Sequence, residues 1–395
     1  MKLTPLSTRI LRAALTIALP LGMVASLFVA CGGGVGSGGT GSFASGPITG
    51  FGSVIVNGVR FDDTPAQVED AEGVRRSSSD LRLGMTVDID SGPITPGPNG
   101  PTASATRIRY GSEMAGPVGS VDPAGGSFML LGQRVTVDAT TVFDDNLTNG
   151  LAGLATDSLV SVYAEFDAAA QRYRATRVEP LATGMPWRLR GLASEVDKVA
   201  QTLRIGSTTY GYAGAVGIPP DLAAGQFVRL QLALASTPPR WVVQSFSPAL
   251  RVVAEGDAVS LKGLVTALGP TGSLSVNGIA LDASGVSLPA GLGLGVRVEV
   301  EGTVLNGVMR VSKVVIRSDE EESGRGFDLS GAIARVDAAS STFTLRGQTV
   351  STARPDLVYE QGTASDLRAG RRVEVHGVLS PDRLRIEATR IKFHD

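Results

Sequence analysis

The chain repeats itself five times, and that repetition limits its fold more than any other feature. Each copy opens with a glycine that has an apolar residue five positions on: Gly46 and Phe51, Gly116 and Val121, Gly191 and Val196, Gly263 and Leu268, Gly331 and Val336. Successive glycines stand 70, 75, 72 and 68 residues apart. A second anchor, Leu-x-x-Gly-x-x-Val, recurs as Leu81-Gly84-Val87, Leu222-Gly225-Val228, Leu292-Gly295-Val298 and Leu367-Gly370-Val373; the second copy keeps Leu154 and Val160 around Asp157. A third is ATRI or ATRV at 105–108, 175–178 and 388–391, with VSKV at 311–314 and VQSF at 243–246 as looser forms. A unit of about 70 residues buries little more than roughly 60% of its unfolded surface, so neighbouring units are expected to lean on one another.

The fourth copy shows the local structure most clearly. "VSLKGLVTAL" reads as a strand, "GPTG" as a turn, and "SLSV" and "IAL" as two strands joined by Asn277-Gly278, a hairpin dipeptide whose residues tolerate positive φ. In "VRVEVEG" the side chains of Val296, Val298 and Val300 share one face, with Arg297, Glu299 and Glu301 on the other. "VMRVSKVVI" makes a fifth strand. In the fifth copy the apolar set Leu384, Ile386 and Ala388 gives way to Ile391 and Phe393, so parity flips inside ATRI. A slip of one residue would turn every side chain over, and a β-bulge resolves it. Asp80-Leu81, Asp221-Leu222 and Asp366-Leu367 put an N-cap candidate before a short turn whose leucine can plug the core.

These patterns predict an all-β protein of five tandem, small, five-stranded barrels of the OB-like kind, with small open β-sandwiches as the alternative. The predicted modules span residues 46–112, 113–184, 185–250, 257–318 and 327–395.

What precedes them gives an address. Residues 1–30 carry Lys2, Arg9 and Arg12, no acidic residue, and then an apolar run interrupted by Pro20 and Gly22, the pattern of a cleaved secretory signal rather than a membrane span. "LFVAC" resembles the lipobox of bacterial lipoproteins, with Phe28 where leucine is usual, and makes Cys31, the only cysteine, the expected lipidation site. Fatty acylation such as palmitate on that residue supplies a membrane anchor, each buried methylene contributing about 0.8 kcal/mol. Gly32, in the lipoprotein sorting pattern, implies the outer membrane of a Gram-negative cell, with the protein facing periplasm or exterior. Residues 31–45 read as the anchor residue and a glycine-rich tether, and a flexible coil of that composition has an end-to-end distance of about 20 Å. Without the leader, which holds three of the 36 basic residues and none of the 38 acidic ones, the net charge moves from −2 to −5, opposite to what a general nucleic-acid binder carries.

The lipobox, the tether, the opening "GFGSVIVNGVRFD" and the tandem "VD…F.LLGQ.V.VD…T" segments together resemble proteobacterial lipoproteins built from a domain of unknown function, the family numbered 5666. Units one and two match it best and unit three departs most. The resemblance implies an envelope location and β-rich modules, and supplies no reaction.

Chemistry is sparse. His376 continues the outward parity of Glu374 and reads as a solvated strand residue, and His394 lies next to the C-terminus. Zinc or iron would need clustered Cys or His. Asp144, Asp145 and Asn146 lack the spacing of an EF-hand loop and read as turn caps, so no metal and no cofactor are expected. Unit three concentrates aromatics, and Trp187, Tyr210, Tyr212 and Trp241 are the candidate ligand-binding residues, able to stack on sugars if they line one exposed face. The competing reading places Trp187 and Trp241 on the first and last strands, meeting at the seam of a closed barrel. The expected function is a non-catalytic envelope lipoprotein whose modules bind or space, with the membrane, and an envelope glycan or another envelope protein, as partners. The alternatives are a glycan-processing enzyme or accessory factor using Asp144 and Asp145, and single-stranded nucleic-acid binding, which the acidic balance opposes.

Overall fold

Alternating side chains give each unit a ring of five strands that closes in the order 1-2-3-5-4-1, the third running parallel to the fifth, and barrels 1, 2 and 5 add short strands outside the ring at Gln67–Asp70 and Arg75–Arg76, Val142–Phe143 and Val358–Glu360. The computed structural model describes residues 42–98, 100–247, 258–318 and 326–394. The leader, Cys31 and most of the tether lie outside the described residues. In barrel 4, Ala258–Leu268 pairs antiparallel with both Ser273–Val276 and Arg297–Leu305, Ile279–Asp282 runs parallel to Val308–Ile316, and Arg297–Leu305 pairs with Val308–Ile316 to complete the ring. Barrels 1, 2, 3 and 5 repeat that circuit. Closure leaves few free strand edges.

The three sequence anchors explain how each ring shuts. The opening glycine lies under the hairpin joining strands two and three: a Cβ at Gly46 would meet Asn57 Oδ1 at 2.6 Å, and one at Gly116 would meet Leu131 Cδ2 at 2.6 Å. The second anchor needs a left-handed backbone, with φ of 78°, 88°, 74° and 83° at Gly84, Gly225, Gly295 and Gly370, and 66° at Asp157. In all five barrels the N–H of that residue donates to the carbonyl two residues beyond the opening glycine: Ile48, Val118, Ala193, Val265 and Ile333. The second anchor thereby latches onto the first.

The third anchor is the expected bulge. Register shifts place one unpaired residue in the fifth strand of every barrel: Thr106, Thr176, Gln244, Ser312 and Thr389. Thr106, Ser312 and Thr389 each donate the hydroxyl to the carbonyl across the bulge, that of Asp90, Glu301 and His376. The capping aspartates differ from expectation. Asp80 and Asp366 end their 3-10 turns, and Ser77 and Thr363 are the N-caps in reciprocal capping boxes. Leu81 and Leu222 are buried as plugs.

The barrels are fused. The described residues all fall in one compact unit. Barrels 2 and 3 join through the antiparallel pairs Arg188↔Ala115 and Leu189↔Met114. Barrel 1 runs parallel to barrel 4 at Ser42↔Ala258 and to barrel 5 at Gly50↔Asp328. The first strand starts at Ser42, inside the segment assigned to the tether, because Phe43 is fully buried in the core of barrel 4. Barrels 2 and 3 share one apolar core, and barrels 1 and 5 share another.

Candidate functional site

The aromatics of unit three form a seam. Tyr210, on Thr208–Gly211, is fully buried; its hydroxyl donates to the Leu131 carbonyl at 2.7 Å and accepts from Gln133 Nε2 at 2.7 Å, both in barrel 2. Burial pushes that phenol's pKa well up, so it stays protonated as a donor. Tyr212 is buried against Phe246 in the core. Tyr210 and Tyr212 therefore do not lie on an exposed face, because their inward parity and the neighbouring barrel enclose them. Trp187 and Trp241 keep partial exposure and pack edge to face, with ring centroids 6.0 Å apart. Their strands do not pair directly: Phe227–Leu234, the fourth, lies between Trp187–Asp197 and Trp241–Ser247.

The other candidate residues are tied into structure. Asp144 accepts from Arg177 Nη2 at 2.5 Å, and Asp145 accepts from the Thr349 hydroxyl of barrel 5 at 2.5 Å. His376 is half-exposed, and its Nδ1 lies 2.9 Å from Asp328 Oδ1, the residue directly opposite on the neighbouring strand. It thus has an acidic partner that its sequence position did not reveal. No group of three or more His, Cys, Asp or Glu side chains able to hold a metal is found among the described residues.

Sequence reasoning missed the junction of barrels 1, 2, 4 and 5, which encloses a cavity of about 600 Å³. Its most buried charge is Glu165, on the fourth strand of barrel 2 (Leu159–Asp167), whose neighbours Ala164 and Phe166 point into that barrel's core. Glu165 consequently points out of its own barrel, yet it is only 2% exposed because barrel 4 covers it. Arg297 Nη1 of barrel 4 lies 2.6 Å from its Oε2. Lys262, likewise outward on its strand, is 5% exposed and lines the same space. At the rim, Arg174 lies 3.7 Å from Asp138 and Arg60 lies 3.9 Å from Asp328. Alternation marks such residues as outside a barrel and is blind to a second barrel packed over them.

The fold defines an array of OB-like barrels fused around a charged cavity. Residues 115–179 and 330–392 match a family described as a domain of unknown function (DUF5666). These are barrels 2 and 5, whereas the motifs pointed to barrels 1 and 2; barrel 1 carries an excursion, with the short Thr95↔Thr102 bridge, between its last two strands. No curated protein matches the chain. A solved structure described as drosophila Unr CSD456 is 15% identical, with 53% of this chain and 98% of that one covered and a TM-score of 0.15.

Proposed function

We propose that this chain is a non-catalytic, lipid-anchored protein of the Gram-negative outer membrane, in which five fused barrels serve as one binding and scaffolding body. The observation that carries the reading is the place of Cys31, between the apolar run ending "SLFVA" and the run "GGGVGSGGTG". A thiol kept for packing or redox work would sit within a patterned segment, and this one sits where an anchor and a tether meet. A binding role, rather than acid or base chemistry, is supported by the engagement of the carboxylates: Glu165 with Arg297, Asp138 with Arg174, Asp144 with Arg177.

Fatty-acid labelling of the wild type beside Cys31→Ala, followed by membrane fractionation, tests it. Label and membrane recovery are both lost in the variant on this reading. Retention of the variant in the membrane fraction, with or without label in the wild type, overturns it.

A further inference from the structure

Barrels 1 and 4 share a continuous sheet, and its pairing puts two turns beside the point where the chain enters the body. Ser42 pairs with Ser91 on one side and with Ala258 on the other, and Ala258 is one residue-pair partner of Thr303. Neighbouring strands lie about 4.8 Å apart, so Thr303 stands two spacings, about 10 Å, from Ser42. Just beyond Ser91 and Thr303 each barrel turns from its fourth strand into its fifth, between Ser91 and Thr102 in barrel 1 and across Leu305–Val308 in barrel 4. Both turns therefore project from the end at which the tether arrives.

These two turns also lack charge. No Asp, Glu, Lys, Arg or His occurs between Asp90 and Arg107, or between Glu301 and Arg310. The same turn carries Asp167 and Arg172 in barrel 2, Arg240 in barrel 3, and Asp382, Arg383 and Arg385 in barrel 5. Leu305 and Val308 are 48% and 44% exposed on either side of Asn306-Gly307, and Pro93, Pro96 and Pro98 are exposed on the neighbouring turn. A lone exposed apolar residue is ordinary on a protein surface, whereas an uncharged end carrying several marks contact with something apolar.

The tether identifies that partner. Cys31 stands eleven residues before Ser42, a length of chain that spans at most about 40 Å and has an end-to-end distance of about 20 Å as a coil. An acyl group on Cys31 thus keeps a bilayer beside this end of barrel 4, whereas Leu294 lies at the other end, before a fourth strand about 26 Å long. We infer that the tether end of the body is a lipid-docking face, where Leu305 and Val308 enter the boundary between headgroups and acyl chains and the prolines of the barrel 1 turn rest on it. This deepens the anchored role proposed above and rests on the reading of Cys31. Membrane binding scales with the apolar area inserted, so two side chains orient an anchored body without replacing its anchor.

The test is quenching of tryptophan emission by brominated phosphatidylcholine in vesicles carrying the full-length protein, with flotation of the same samples. Leu305→Trp and Val308→Trp each add a third ring to Trp187 and Trp241, so each is expected to raise the quenched share of emission by about a third over the wild type. Leu294→Trp, 46% exposed at the opposite end, is expected to match the wild type. All three sites are exposed, and the variants are expected to melt with the wild type. Floating protein with no added quenching at 305 or 308, quenching at 294 equal to that at 305, or dimerisation through the tip in place of quenching each overturns the inference. Any of these leaves the acylation of Cys31 standing. Added quenching at 305 and 308, in a protein whose Cys31→Ala form still fractionates with the membrane, supports the docking face and defeats only the anchor.

Discussion

Gly84 and Gly225 occupy the same place in the repeat and the same left-handed backbone, at φ 78° and 88°, but their surroundings differ. Nothing lies within 4 Å of a Cβ built on Gly225, whereas one on Gly84 runs into the Thr176 carbonyl of barrel 2. Gly225→Ala should therefore cost only the backbone term, about 1–2 kcal/mol, while Gly84→Ala must also push barrels 1 and 2 apart and lose clearly more. Urea unfolding of the two variants separates the contributions, and equal losses would show that the barrel contact at Gly84 yields freely. Tyr210 gives the pH counterpart. Its folded pKa is raised by burial above the ordinary value of 10.0, so its contribution is complete below pH 10 and falls as pH rises through and past the tyrosine range. Tyr173 and Tyr163 shift in the same direction for the same first cause. Tyr210→Phe leaves the Leu131 carbonyl unmet and should cost about 1–3 kcal/mol at neutral pH, with a shallower stability loss between about pH 9 and 12 than the wild type. The need for glycine is visible in the sequence at both anchor positions; that one of them touches a second barrel is not, since no local pattern encodes it.

At the scale of strands and turns, sequence and structure agree where the information is local. Parity flipping inside ATRI predicts the bulge, and the hydroxyl that seals it accounts for the hydroxylated residue there in three barrels, Thr106, Ser312 and Thr389. Thr389→Val removes a hydrogen bond to the His376 carbonyl and should cost about 1 kcal/mol. Thr176→Val removes a buried hydroxyl that bonds to nothing in the protein, so it should be neutral or stabilising. Thermal melts of the pair check this, and a loss at Thr176 equal to that at Thr389 would contradict it. Non-local information is not legible. Aspartate before leucine looks like an N-cap, but the true caps, Ser77 and Thr363, stand three residues earlier and use the aspartate reciprocally. A seam between adjoining first and last strands would bring Trp187 and Trp241 together directly, whereas the closure order puts the fourth strand between them.

Across the whole molecule, the outward faces that alternation assigns to solvent become contacts between barrels. Glu165, Lys262 and Arg177 are all polar and outward, and all are buried; Arg177 reaches the Leu83 carbonyl of barrel 1 at 3.3 Å. The cavity is made of such faces, which is why no motif announces it. Apolar packing between barrels is uneven. Barrels 2 and 3 bury one common core, as do barrels 1 and 5, but among the described residues the core of barrel 4 takes only Phe43 from outside its own barrel. A single OB-sized unit is marginally stable alone, so barrel 4 should open at lower free energy than the barrels that share a core. Native-state hydrogen exchange in rising urea is expected to show amides of 258–316 losing protection before those of 114–247. Phe43→Ala should widen that gap, removing about 3–5 kcal/mol from barrel 4 while the core of barrels 2 and 3 keeps its protection. Simultaneous loss of protection in all five barrels, before and after the substitution, would mean that the polar contacts at the junction, Glu165 with Arg297 foremost, couple barrel 4 to the rest as strongly as a shared apolar core does.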